Sequence, residues 1–183
     1  MRELKILTGV VAISLALGGA AFAAEATAPT APTAPAATPA GPSDRAQIQA
    51  LERGFAAAFN AKNTKKIMSY YAREGLFVFD VTPPRQHVGW ADYKKDWDDT
   101  FALFPGPVTF AMSDLSITVV GDLAYGHSIQ DSHFTTKDGA KTELVARVSD
   151  VYRKIGGKWL IVQEHVSVPV DLETMKADPL SKP

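Results

Sequence analysis

From Val108 towards the C-terminus, apolar and polar residues alternate with a period of two. Turn signals at Gly121-Asp122, Lys137-Asp138-Gly139 and Gly156-Gly157 divide this run into four long strands. Strands joined by such short turns form an antiparallel meander, and a meander needs another layer to cover its apolar face. The preceding residues supply that layer. Ile48, Leu51, Phe55 and Phe59 recur at helical spacing behind Asp44 and Gln47, which form a D-x-x-Q capping signal. Asn63 or Thr64 starts a shorter second helix presenting Ile67 and Tyr71. Trp90, Tyr93, Trp97, Phe101 and Phe104 share one face of a third helix, which begins near Gly89 and stops at Pro105-Gly106-Pro107. Between the second and third helices, Leu76-Phe77-Val78-Phe79 reads as a buried strand before a loop containing Pro83-Pro84. Helices first and a sheet after them predict an α+β domain.

The first long strand has a break in its pattern. Val108, Phe110 and Met112 are in phase with one another, and Leu115, Ile117 and Val119 are in phase with each other but not with the first set. One inserted residue near Ser113-Asp114, a β-bulge that bends the strand, reconciles the two halves and predicts a sheet that curls over the helices.

The N-terminal segment cannot belong to this domain. Residues 1–23 combine a basic start, an apolar run from Ile6 to Phe22 and an Ala21-Phe22-Ala23 ending, the pattern of a cleaved secretory signal. Thr8, Ser14 and Gly18-Gly19 interrupt the run, which argues against a stable membrane anchor. Residues 24–43 are rich in Ala, Pro and Thr and hold almost nothing that burial could stabilise, so a disordered linker is expected there. Residues 44–183 form the single folded domain, in a protein expected to be periplasmic or secreted. The absence of cysteine excludes disulfides and thiolate chemistry. With 19 basic against 20 acidic residues and no basic stripe, nucleic acid is not an expected partner.

Three segments carry a family resemblance. Phe55 to Asn63, Tyr71-Ala72-Arg73-Glu74-Gly75-Leu76-Phe77-Val78-Phe79-Asp80, and Arg147 to Lys154 followed by Gly157-Lys158-Trp159-Leu160-Ile161-Val162-Gln163-Glu164-His165-Val166-Ser167 resemble the SnoaL-like, ketosteroid isomerase-like branch of the nuclear transport factor 2-like superfamily. The resemblance covers residues 44 to 172. It implies a cone-shaped domain with three N-terminal helices packed in the concavity of a curved, mainly antiparallel sheet, an apolar pocket, and commonly a homodimer. Fold alone does not fix function. Ketosteroid isomerases use a carboxylate base on the first strand, a tyrosine on the first helix and a protonated aspartic acid on a late strand. In this chain Phe55 stands where the tyrosine would, and phenylalanine cannot donate a hydrogen bond. Phe79 falls on the base position with Asp80 one residue beyond, and only Asp150 matches the acid, which argues against steroid isomerisation.

Strand parity places Leu144, Ala146, Val148, Asp150 and Tyr152 on one face, which the resemblance assigns to the pocket. The same parity gives the pocket Leu160, Val162, Glu164 and Val166 from the last strand, and Ser128 and Gln130 from the strand before. Asp150 is the foremost candidate because a carboxylate on an apolar face needs a partner or a proton. It either serves a ligand or hydrogen-bonds a neighbouring strand or Gln130. Asp80 is a second acid or base candidate, or the start of a turn. Glu164 either pairs with Asp150 or forms a salt bridge to an arginine. Phe55, Tyr93 and Trp97 are pocket walls as well as core. Tyr125, His127, Arg147, Trp159 and His165 fall on the convex face, the expected dimer surface. No spacing of His with carboxylates marks a metal site, and no phosphate or dinucleotide fingerprint marks a cofactor.

These readings predict an exported homodimeric domain that binds a small apolar or partly polar molecule. The alternatives are an isomerase, cyclase or hydratase using Asp150 and Asp80, and a structural or partner-binding dimer.

Overall fold

The computed structural model describes residues 42–181. The expected export signal and all but the last two residues of the expected linker lie outside that range. Pro42 and Ser43 begin helix α1, Pro42–Asn60, where a proline at the start suits the helical φ and loses no intrahelical donor. Asp44 therefore sits within the first turn rather than capping it. Its Oδ1 instead accepts hydrogen bonds from Lys154 Nζ at 2.6 Å and Trp159 Nε1 at 3.0 Å, tying the helix start to the sheet.

A short helix α2, Thr64–Ile67, follows, with Asn63 Oδ1 accepting from the Lys66 amide as its cap. Then come strand β1, Phe77–Phe79, strand β2, His87–Val88, and helix α3, Trp90–Leu103. Four long strands complete the main sheet: β3, Val108–Val120; β4, Leu123–Thr135; β5, Lys141–Ile155; and β6, Lys158–Ser167. A small hairpin, β7 at Val170–Asp171 and β8 at Lys176–Ala177, ends the described chain. No described helix is long and apolar enough to cross a membrane.

The sheet order is β2-β1-β6-β5-β4-β3. The meander β3 to β6 is antiparallel throughout, while β1 joins β6 in parallel, with Phe77 opposite Gln163 and Phe79 opposite His165. The sheet is curved and open, with the helices against one face. Asn60, at the end of α1, fixes that contact by donating to the Phe110 carbonyl and accepting from the Phe110 amide.

Two irregularities shape the sheet. Between β3 and β4 the register jumps from Ser113 opposite Ile129 to Ser116 opposite His127, so Asp114 and Leu115 face Ser128 alone. Asp114 takes a φ of 53°, a conformation that Asp tolerates better than most residues. This bulge lies where the phase change in the sequence predicts it.

The second irregularity corrects the sequence reading. Between β5 and β6, Val151 pairs with Gln163 and Tyr152 with Ile161, leaving Val162 as the extra residue. The phase of β6 flips there. Trp159, at 5 % exposure, and Ile161 are buried in the core, and Leu160 and Val162 turn to the other face. Trp159 therefore does not belong to the convex surface.

Candidate functional site

The interior of the domain is aromatic with acids at its centre. Phe55 meets Tyr71, Trp97 and Phe110 edge-on, and Tyr93 makes the same contact with Tyr71 and Trp97. Into these walls three elements deliver carboxyls: Glu52 from α1, Asp150 from β5 and Glu164 from β6, none more than 4 % exposed. Asp150 and Glu164 are direct cross-strand neighbours, which forces their side chains onto the same face.

Three tyrosines serve these acids. Tyr71 donates to Glu164 Oε2 at 2.8 Å and Tyr93 to Oε1 at 2.6 Å. Tyr152 donates to Glu52 Oε1 at 2.7 Å, and its hydroxyl lies 3.3 Å from Asp150 Oδ2. A hydroxyl has one proton to give, and it goes to the shorter contact. Asp150 Oδ1 is buried with no hydrogen-bond partner. The neighbouring Glu164 engages its two oxygens with Tyr71 and Tyr93, so Asp150 Oδ1 is open to a further partner.

Among the described residues, no ion pair joins these three acids to a Lys or Arg. Burial without a countercharge favours the neutral form. Desolvation pushes Asp150 well above the usual carboxyl range, reinforced by the charges of Glu164 and Glu52. Desolvation likewise pushes Glu52 up to about 7 and Glu164 up to about 7, the latter restrained by its tyrosine donors. Burial therefore favours the neutral, hydrogen-bond-donating form of Asp150.

A second cluster adjoins the first. Asp80, just past β1, lies with His87 of β2 and Asp96 of α3 so that one ligand atom of each falls within 4.8 Å of the others. The His87 ring packs 5.4 Å from that of Tyr93. Burial raises Asp80 above its ordinary range, opposed by amide hydrogen bonds from Thr82 and Val81.

The structure brings together Asp150, Tyr152, Glu164 and Tyr93 from the sequence reading, with Phe55, Trp97 and Val148 packed in the same interior. Asp80 is not a hydrogen-bond partner of Asp150, so the expected acid–base pair does not form a direct contact. Ser128 is buried and accepts from Gln130 Nε2 at 3.5 Å, while Asp150 turns to Tyr152 and Glu164 rather than to Gln130. Glu164 takes tyrosines in place of an arginine. The Phe79 ring faces outward against His165, and Asp80 is the residue that turns towards His87.

A concavity of about 570 Å³ lies at the other end of β4 and β5, lined by residues including Thr109, His133, Phe134 and Lys141. None of the expected site residues borders it. The sequence reading missed Glu52, Tyr71 as a hydrogen-bond donor, and His87. Glu52 carried a usable signal, a charge set within the apolar helical stripe Ile48, Leu51, Phe55 and Phe59.

The family profile described as "SnoaL-like domain" matches residues 48–171. No curated protein matches the sequence. Among solved structures, a nuclear transport factor 2-like protein of unknown function from Pseudomonas putida KT2440 is 27 % identical. That alignment covers 78 % of this chain and 99 % of that one, with a TM-score of 0.71. A ketosteroid isomerase-like protein from Erwinia carotovora atroseptica is 18 % identical, covering 69 % of this chain and 97 % of the other at a TM-score of 0.60. A nuclear transport factor 2-like superfamily protein from Salmonella enterica serovar Typhimurium is 18 % identical, over 71 % and 94 % of the two chains, at a TM-score of 0.63.

Proposed function

From its membership of the SnoaL-like domain family, to which this chain belongs, we propose that it is an exported, homodimeric domain that binds a small, largely apolar molecule. One oxygen of that molecule is held by the Asp150 carboxylic acid. The observation that carries this reading is a pair of polar atoms left without partners inside an aromatic interior, Asp150 Oδ1 and Trp97 Nε1. Buried polar groups are almost always paired, and one that is not calls for an explanation. A carbonyl, enol or phenol oxygen supplies it. Because Asp150 is 4 % exposed, a ligand reaches it by displacing interior side chains.

Export rests on the pattern of residues 1–23. The dimer rests on the outer sheet face, where Tyr125 is 57 % exposed beside Val151, and His127, Ser149 and His165 form the next row. Native mass spectrometry of the protein expressed with its leader and recovered after export tests these parts together. The expected result is a chain beginning at Ala24, two copies per particle and a retained small molecule. An intact Met1, a monomer at micromolar concentration or a particle without added mass each overturns the corresponding part.

The role of Asp150 is tested with 2-naphthol, a fluorescent molecule with an apolar body and one acidic oxygen. Asp150→Asn keeps a donor of similar size and should hold its affinity within a few-fold. Asp150→Leu removes the donor and should weaken binding by roughly 5- to 150-fold, corresponding to about 1–3 kcal/mol for a lost buried hydrogen bond. Equal binding by wild type and a folded Asp150→Leu variant would dispose of the proposed role. A second reading, transformation of the ligand by proton transfer, is favoured by glutamates held at about 7, since such groups both give and take protons at neutral pH. A change in the mass of the retained molecule on incubation separates it from binding alone.

A further inference from the structure

We propose that Asp80, His87 and Asp96 form a binding site for a divalent first-row transition metal ion. The three residues come from the end of β1, the edge strand β2 and one face of α3, and their ligand atoms lie within 4.8 Å of one another. Ligands bonded at roughly 2.0–2.2 Å to one ion sit up to about 4.2 Å apart, so the cluster needs only small side-chain adjustments to close on it.

His87 is the second, independent observation. It is 2 % exposed, and neither ring nitrogen has a hydrogen-bond partner. Nε2 lies 3.7 Å from Asp96 Oδ1, too long for a hydrogen bond and right for two ligands of a shared ion. Nδ1 lies 3.4 Å from Asp92 Oδ2, which also accepts from the Val88 amide at 3.0 Å. With Nε2 on a metal, a small turn of the ring would bring the Nδ1 proton onto the anchored Asp92 carboxylate. Metal-ligating histidines are commonly oriented and made more basic in this way. Asp80 is prepared too, because its Oδ1 accepts from the amides of Val81 and Thr82, leaving Oδ2 for the ion.

The donor set selects the ion. One imidazole and two carboxylates without a thiolate suit zinc, manganese or iron(II) better than calcium or magnesium, which take oxygen ligands. Three protein ligands leave positions for water or a ligand oxygen. The ion would stand beside Tyr93, whose ring packs on His87 and whose hydroxyl bonds Glu164, bringing positive charge to an interior that holds three acids. The proposal is independent of the role of Asp150.

The test uses the full chain, freed of metal by chelator and titrated calorimetrically with zinc and then manganese. A His133→Ala background removes the exposed cluster of Asp131, His133 and Glu143, which could also take an ion. The expected result is one ion per chain, weakened at least about tenfold by Asp96→Asn and about a hundredfold by His87→Gln. Cobalt(II) in the same site should give visible absorption bands that are lost in both variants. Asp96 is partly exposed and asparagine keeps its size, so Asp96→Asn keeps the test informative if His87→Gln does not fold. No ion bound, unchanged affinity in Asp96→Asn, or binding of magnesium and calcium as tightly as zinc overturns the proposal.

Discussion

The domain should be several kcal/mol less stable at pH 8 than at pH 5, the reverse of the behaviour given by salt-bridged carboxylates. Burial holds Glu52 up to about 7, Glu164 up to about 7 and Asp150 well above its ordinary range. In the unfolded chain the same groups titrate near ~4. Between those limits the native state carries more protons than the unfolded one, so stability falls as pH rises. The contribution is complete below the unfolded values and is lost as pH passes through about 7. Each glutamate, taken singly, accounts for about 3 kcal/mol, and because the acids interact they titrate as a set rather than one by one. The carboxyls of Asp44, Asp98, Asp138 and Asp171 are held below their usual range by hydrogen bonds, so they titrate at lower pH, outside this window. Urea unfolding at pH 5 and pH 8 reads the effect directly. Replacing Glu52 and Glu164 with Gln should flatten the profile, and a wild-type stability that rises or stays level across the window would show that the acids are solvated or paired.

Phe59→Ala should remove about 3–5 kcal/mol, a large fraction of the ~5–15 kcal/mol that holds a domain of this kind together. Phe59 stacks on Phe110 with centroids 4.5 Å apart and meets Phe55, Trp97 and Phe101 edge-on, with Phe134 tilted against it at 5.9 Å. It is the point at which α1, α3 and the first two long strands touch one another. Truncation leaves a void bounded by rings on different elements, and such walls close only in part. Phe59→Leu keeps most of the volume and should cost under half as much. A loss below about 1 kcal/mol for Phe59→Ala would mean that the aromatic cluster collapses freely and is looser than its geometry shows.

Part of this architecture is legible in the chain. In β3 the two phases are separated by polar residues, so a single misfit at Ser113-Asp114 stands out. The second bulge is illegible for the opposite reason. Trp159, Leu160, Ile161 and Val162 are all apolar, so either phase fits and nothing in the residues says which side is inside. Only the inward demand of Ile161 and Glu164 together, fixed by pairing with β5, settles it. Asp150 is visible as an acid on an apolar strand face, and Glu52 by the same logic on a helix. Their tyrosines are not, because Tyr71 and Tyr93 read as ordinary apolar-stripe residues until β6 brings Glu164 to them. Asp80, His87 and Asp96 lie in a loop, an edge strand and a helix, and no single periodicity spans the three.

The parallel pairing of β1 with β6 also sets the order in which the molecule can come into being. Tyr71 and Glu164 are 93 positions apart and Glu52 and Tyr152 are 100 apart, so the acids meet their donors only through long-range closure of the chain. As the chain emerges N-terminus first, β1 has no neighbour but β2 until β6 has followed. High contact order of this kind makes folding slow and late. Until then the nascent chain carries its three acids in water, ionised and apart, and burial acts against their charge only when the last long strand slides between β1 and β5.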